Sequence, residues 1–364
     1  MHQNRVAKAV NRLLRSIFRP AAGTVKPEGG VPRRINLALQ GGGAHGAFTW
    51  GVLDALLEHR DLEFEGLSGS SAGAMNAVVF ADGWLKGGRS GARESLTAFW
   101  TEVGQQVSPA MVTSGDEQTI SLSPTGKMWA TWAALFSPTQ LNPLGVDPLR
   151  HILERHVDFA ALRERSPFKL FVGATQVTTG KLRVFRESEI SADVLLASAC
   201  LPKIHAPVEI DGEPYWDGGY SANPAVFPLF YDCESADVLL VLLTPLARES
   251  APSSVREIDE RIAELSFSAT FMREMQSFAR AAEFAARSVS AAGSLEHKLR
   301  TARFHMIDAT GVEGLARADT KALAHGPFLK MLHAKGQERA QDWLQNSADQ
   351  VGERGTVELG RLFG

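Results

Sequence analysis

Phe64-Glu65-Gly66-Leu67-Ser68-Gly69-Ser70-Ser71-Ala72-Gly73 is a short run with apolar residues that ends on a serine set between glycines, and Ala74 to Phe80 behind it are helix-compatible. A strand that turns sharply into a helix accounts for this pattern, because Gly69 and Gly73 allow the tight turn. The same succession stands upstream. Ile35-Asn36-Leu37-Ala38-Leu39 leads into Gly41-Gly42-Gly43-Ala44-His45-Gly46, then Phe48, Val52, Leu53, Leu56 and Leu57 at helical spacing. Downstream, Phe168 to Thr175 and Val238-Leu239-Leu240-Val241-Leu242-Leu243 read as strands. The second is apolar on both faces, as in the interior of a parallel sheet. Strands alternating with helices predict an α/β fold with a mainly parallel central sheet flanked by helices.

The remainder of the chain bounds what this core serves. With 364 residues there is length for one large domain or two. The 38 basic and 41 acidic side chains leave a net charge of -3, so no global field suits nucleic acid. Two cysteines, Cys200 and Cys233, exclude a disulfide framework and fit a reducing compartment, hence a cytoplasmic location. No apolar run approaches the roughly 20 residues that span a bilayer.

Between residues 5 and 19, Arg5, Lys8, Arg12, Arg15 and Arg19 fall on one helical stripe. Val6, Val10, Leu13, Leu14 and Ile17 occupy the opposite face until Pro20, and a Pro- and Gly-rich linker follows. This cationic amphipathic pattern suits peripheral contact with an anionic lipid surface. A helix packed on the body, a frayed arm or an organelle presequence would carry it too. The expected division is residues 1–32 as helix and linker, then 33–364 as one domain with an insertion at 107–144 and a helical C-terminal part. The insertion is rich in Ser, Thr and Pro but holds the apolar cluster Met128 to Phe136, which reads as a buried helix or else a lid. Val255 to Val289 predicts a long helix packing through Ile258, Ile262, Leu265, Met272, Met275 and Phe278.

Chemistry concentrates in the glycine-flanked turns. Gly41-x-Gly43-x-x-Gly46 fits a dinucleotide fingerprint, with Glu65 where a ribose-binding acid would be sought. A dinucleotide fold, however, requires no serine between glycines. Gly69-x-Ser71-x-Gly73 has the form of a nucleophile elbow, in which a strained turn presents Ser71 beside a helix N-terminus. A serine-rich helix cap is the plainer alternative. Beside an elbow, the amides of Gly41, Gly42 and Gly43 become candidates to hold a developing oxyanion, though a phosphate would suit the same donors. A serine hydroxyl needs a base. His297, His305, His325 and His333 follow in the chain order of a Ser-Asp-His triad but stand in no recognisable context. The other candidate is Asp217 in Tyr215-Trp216-Asp217-Gly218-Gly219-Tyr220, where Asp-Gly alone would indicate only a turn.

Taken together, Gly41 to Gly46, Gly69 to Gly73 and Asp217-Gly218-Gly219 closely resemble the motifs of the patatin-like phospholipase family in order and spacing. The resemblance runs from Ile35 to Leu243 and includes Ala197-Ser198-Ala199-Cys200-Leu201-Pro202 and Pro207 to Gly212. It implies a three-layer α/β fold and a Ser-Asp dyad, with Ser71 as nucleophile, Asp217 as its partner and no catalytic histidine. The oxyanion would be held by Gly41, Gly42 and Gly43 with Ala72, while His45, Gly46, Gly69, Gly73, Gly218 and Gly219 support the motifs. No metal or cofactor is implied. The activity implied is hydrolysis of a lipid acyl ester through an acyl-enzyme, on a phospholipid or lysophospholipid first. Neutral lipid esters, thioesters, a stored polyester, or lipid binding without turnover are the alternatives. One departure is His45, where the family usually carries Arg or Lys; if its ring assisted the oxyanion, the assistance would titrate near neutrality.

Overall fold

The computed structural model describes residues 33–105, 113–114, 121–122, 147–248, 250–287, 294–315 and 319–364. The basic stripe at 5–19, the linker that follows it and nearly all of the 107–144 segment, including Met128 to Phe136, lie outside these. Strand β1 (Arg33–Leu39) enters helix α1 (Gly46–Glu58), and β2 (Leu62–Ser70) enters α2 (Ala72–Val103), which bends at Gly87 and Gly88. After α3 (Pro148–His156) and α4 (Phe159–Arg165) come β3 (Lys169–Gln176), β4 (Leu182–Arg186), α5 (Ala192–Ser198), β5 (Val208–Ile210) and β6 (Glu213–Asp217). Helix α6 (Phe227–Asp232) and β7 (Asp237–Leu242) precede α7 (Val255–Arg287), α8 (Ser294–Thr301), β8 (Arg303–Asp308), α9 (Gly326–Ser347) and α10 (Leu359–Leu362).

The sheet runs β8-β7-β1-β2-β3-β6-β5, with β4 also on β3. Its centre is parallel, from β8 through β3, and the β3-β4, β3-β6 and β5-β6 pairs are antiparallel. Alternation of side chains along the strands separates two cores. Ile35, Leu37, Leu39, Leu239 and Val241 face the layer of α1, α2, α5 and α9. Ala38, Val238, Leu240 and Leu242 face α6 and α7. The fold is therefore a three-layer α/β architecture around a mostly parallel sheet, and β7 is buried on both sides as its unbroken apolar run required.

Helix α7 differs from its prediction in one respect. Phe271 and Met275 are buried, but Ile258, Ile262 and Leu265 in its first half are exposed. The 3-to-4 spacing marks one face of a helix without fixing how much of that face the body reaches. Among the described residues, no helix is long and apolar enough to cross a membrane, and no group of three or more His, Cys, Asp or Glu is placed to hold a metal ion.

Candidate active site

The site forms at the carboxyl ends of parallel strands, where open α/β sheets place their ligands. Its geometry follows from a detail of pairing. Strand β2 runs along one edge of β3 as far as Ser70, opposite Gly173. On that same edge β6 arrives from the other direction and ends at Asp217, opposite Ala174. The two strands thus meet head to head across consecutive residues of β3, which brings Ser71 and Asp217 together from 146 positions apart in sequence. The Ser71 hydroxyl lies near enough to the Asp217 carboxylate to favour its charged form.

Ser71 sits at φ 53°, ψ -128°, a conformation that costs a residue with a side chain on the order of 1–3 kcal/mol. Its neighbours enforce it. A Cβ at Gly69 would fall 2.6 Å from the amide nitrogen of Ala74, and one at Gly73 would collide with the Leu39 carbonyl. The Ser71 amide donates to the Ser198 carbonyl at 3.1 Å and to Ser198 Oγ at 2.9 Å, and that hydroxyl in turn donates to the Gly173 carbonyl at 2.6 Å. Ser198, for which the sequence suggested no role, is thus the post that fixes the elbow. It lies in the Ala197 to Pro202 stretch, the one sequence signal that could have found it.

Asp217 is 1% exposed. Its Oδ1 accepts from the Gly219 amide at 2.7 Å, its backbone amide donates to the Cys200 carbonyl at 2.8 Å, and its carbonyl accepts from Thr175 Oγ1 at 2.7 Å. Burial dominates its ionisation and raises the pKa from 3.8 to about 7, against the opposing pull of the Gly219 amide, the Ser71 hydroxyl and the charge on Lys321. Gly218 is pressed against the Gly173 carbonyl and Gly219 against the Phe267 ring, so neither position has room for a side chain.

The glycine loop lies beside Ser71 with its donors divided. The Gly41 amide is committed to Asn223 Oδ1 at 2.7 Å. It is therefore not a free donor, which corrects the expectation for that residue; its closeness to Ser70 and Ser71 instead leaves no space for a Cβ. Among the described residues the amides of Gly42, Gly43 and Ala72 have no acceptor. Gly43 adopts φ +59°, the left-handed region glycine favours. Asn223 and Gln40, which takes the Leu243 amide at 2.6 Å, hold the loop at the sheet end and carry no motif signature.

His45 turns away into the core. It is buried, with Nε2 2.7 Å from Thr320 Oγ1 and its ring edge-on to Phe328. Because the Thr320 hydroxyl donates to the Gly314 carbonyl at 2.9 Å, Nε2 is the protonated nitrogen and Nδ1 is left without a partner. Burial, and then the Lys321 charge, lowers its pKa well below 6.5, so this imidazole stays neutral and does not titrate near neutrality. Of the other histidines, His305 and His333 pair with Asp237 and Asp54. Glu65 accepts from the Glu234 and Ser235 amides and from Lys169, so all its contacts are structural.

The patatin-like phospholipase model matches residues 37–230, just over half of the chain. Uncharacterized NTE family proteins of Mycobacterium bovis and Mycobacterium tuberculosis are each 28% identical to it over 202 residues. The alignment covers 55% of this chain and 46% of theirs, so the chain spans just under half the length of these curated relatives. Among solved structures, VipD from Legionella pneumophila is similar over 88% of this chain and 69% of its own, with a TM-score of 0.40 and 16% identity. The family match contains the glycine loop, the elbow and Asp217 in a single alignment, and the chain belongs to the patatin-like phospholipase family.

Proposed function

We propose that the protein is a serine acyl hydrolase of lipid esters that works through a Ser71-Asp217 dyad. The observation that carries this reading is the meeting of β2 and β6 on β3, which sets Ser71, strained at its elbow, beside a buried carboxylate whose pKa is raised to about 7. A general base is most effective when its pKa lies near the working pH. Asp217 takes the Ser71 proton as Oγ attacks the ester carbonyl, and the tetrahedral oxyanion is held by the amides of Gly42, Gly43 and Ala72. As the carbon-oxygen bond to the leaving alcohol breaks, Asp217 returns the proton to that alcohol. The acyl-enzyme is then hydrolysed by a water that Asp217 deprotonates, and the proton passes back to Ser71 Oγ. No histidine takes part.

Phospholipids or lysophospholipids are the substrates that fit family membership best, and the basic stripe at residues 5–19 would hold the enzyme on an anionic lipid surface. The test is a panel of phospholipids, lysophospholipids, triacylglycerol, an acyl thioester, a polyester and p-nitrophenyl esters, run on wild type and on Ser71→Ala. Ser71→Ala is expected to lose at least roughly a thousandfold in kcat/KM on every ester and all labelling by a fluorophosphonate probe. Labelling that survives the substitution would sink the dyad. A wild type that binds liposomes yet turns over no ester would make the protein a lipid-binding relative without activity.

A further inference from the structure

The chain that carries Asp217 returns to the glycine loop at Asn223, and it is tied down on the way. Ser70 Oγ donates to the Ala222 carbonyl at 2.7 Å and Ser68 Oγ to the Ala225 carbonyl at 2.5 Å, so two buried hydroxyls of β2 hold this stretch along the strand that presents Ser71. Farther on, Glu274 of α7 accepts from the amides of Val226 at 3.0 Å and Phe227 at 2.5 Å. Gln40 links the Asn223 backbone to the end of β7. Its Nε2 donates to the Asn223 carbonyl at 3.4 Å, and its Oε1 accepts from the Leu243 and Thr244 amides at 2.6 and 2.9 Å. Asn223, 2% exposed, is therefore fixed from several sides.

Its side chain grips one residue of the loop at both polar backbone atoms. Oδ1 accepts from the Gly41 amide at 2.7 Å, and Nδ2 donates to the Gly41 carbonyl at 3.4 Å. Only one orientation of the side-chain amide makes both bonds. The second bond governs the next residue as well. The Gly41 carbonyl and the Gly42 N-H belong to one trans peptide unit, and in such a unit the two groups point in opposite directions. With the carbonyl held on the Asn223 side, the Gly42 N-H is turned away from Asn223, and it has no acceptor among the described residues. The unit also stands beside the nucleophile, since a Cβ on Gly41 would fall 2.8 Å from that of Ser71. Glycine on both sides leaves such a peptide free to rotate unless something holds it.

We propose that Asn223 is a positioning residue of the oxyanion site: by holding the Gly41 carbonyl it fixes the plane of the Gly41-Gly42 peptide, so that the Gly42 amide faces the oxygen that becomes negative when Ser71 attacks. The inference rests on the dyad reading above. One segment, residues 217–223, then carries both the base and the support of an oxyanion donor. A donor set in place before substrate arrives acts on the transition state without reorganisation, which is the source of its effect.

The test compares a ligand that develops the oxyanion with one that cannot. Wild type, Asn223→Leu, Asn223→Ala and Asn223→Asp are assayed for kcat/KM on p-nitrophenyl butyrate and for inhibition by hexyl trifluoromethyl ketone, which forms a tetrahedral adduct with a serine. Competitive inhibition by butyl p-nitrophenyl ether, which lacks the carbonyl, reports ground-state binding. Asn223→Leu and Asn223→Ala are expected to lose about thirtyfold in kcat/KM, less than the roughly hundredfold to thousandfold of deleting an oxyanion donor outright. Ketone affinity should fall by a similar factor, with ether affinity within about twofold of wild type. Asn223→Asp keeps an acceptor for the Gly41 amide but sets an oxygen against the Gly41 carbonyl, so it should show the same selective loss. Thermal unfolding identifies which variants fold, and any one of the three that folds decides the matter. Equal losses of ketone and ether affinity, or kcat/KM within about threefold of wild type, would overturn the proposal and leave Asn223 a packing residue. Failure of the dyad reading shows separately, as fluorophosphonate labelling that survives Ser71→Ala.

Discussion

Asp217 places two opposing demands on one side chain. Its pKa of about 7 lies above the ordinary 3.8, so ionising it inside the fold costs on the order of 4 kcal/mol relative to water. The folded state binds the proton more tightly than the unfolded chain does. Stability is therefore fullest below about pH 4 for this group and falls as pH rises towards 7, whereas activity through the proposed dyad should rise over the upper part of that range. Asp217→Asn is expected to abolish hydrolysis while raising the melting temperature relative to wild type at pH 8, with the difference shrinking towards pH 4. Thermal unfolding at both pH values, beside a kcat/KM profile with its acid limb near 7, checks both halves. Ser71 and the glycines were legible because each stands in a motif whose spacing reflects backbone constraint, whereas Asp217 was singled out only by the resemblance of the combined motifs. Ser198 and Asn223 were not legible, since an isolated Ser or Asn has many ordinary uses and only contact distinguishes one from another.

Among elements, the meeting of β2 and β6 on one edge of β3 brings Ser71 and Asp217 together, and the approach of α1 and α9 decides how firmly the helix behind the glycine loop is backed. Every residue of α1 from Gly46 to Leu57 is buried, because the sheet covers one side and α9 the other. The two helices touch through backbone. A Cβ at Gly51 would run into the His333 carbonyl, and one at Gly336 into the Phe48 carbonyl. Gly51→Ala and Gly336→Ala should each destabilise the protein by about 1–3 kcal/mol, as overpacked contacts do. The double variant should cost less than the sum, because both changes open the same contact. Urea unfolding of the three variants measures this. Helical periodicity identified α1 from Phe48, Val52, Leu53, Leu56 and Leu57, but the need for glycine at Gly51 depends on a helix nearly 300 residues later.

For the whole molecule, the described residues from Arg33 to Gly364 cluster as one compact unit. The chain beyond the family match supplies β7 and β8 on one side of the sheet, α9 over α1, and the Asp319–Ala322 turn that packs on the glycine loop. The basic residues of the 5–19 segment belong to the proposed contact with an anionic lipid surface. Five basic residues at helical spacing in the sequence, each worth about 1 kcal/mol at an anionic membrane, predict that deleting residues 1–32 lowers affinity for phosphatidylserine vesicles at least tenfold and leaves turnover of p-nitrophenyl butyrate unchanged. Vesicle sedimentation across a salt series, with the esterase assay alongside, checks this. Equal binding by both proteins would remove the stripe from any role at the lipid surface.

The α/β class and the strand-turn-helix units were readable in the amino-acid order, because apolar periodicity and glycine at tight turns are local rules; Ser71 stood out by its elbow, and Asp217 only through the resemblance of the combined motifs to a family. It took the folded chain to show that Gly41 spends its amide on Asn223, that His45 faces Thr320, and that the Lys321 carbonyl packs against Gly43 from far along the chain. Each of those outcomes depends on which partner a polar group finds when distant strands and turns come together. That partner is set by packing of the whole molecule, which no local pattern encodes.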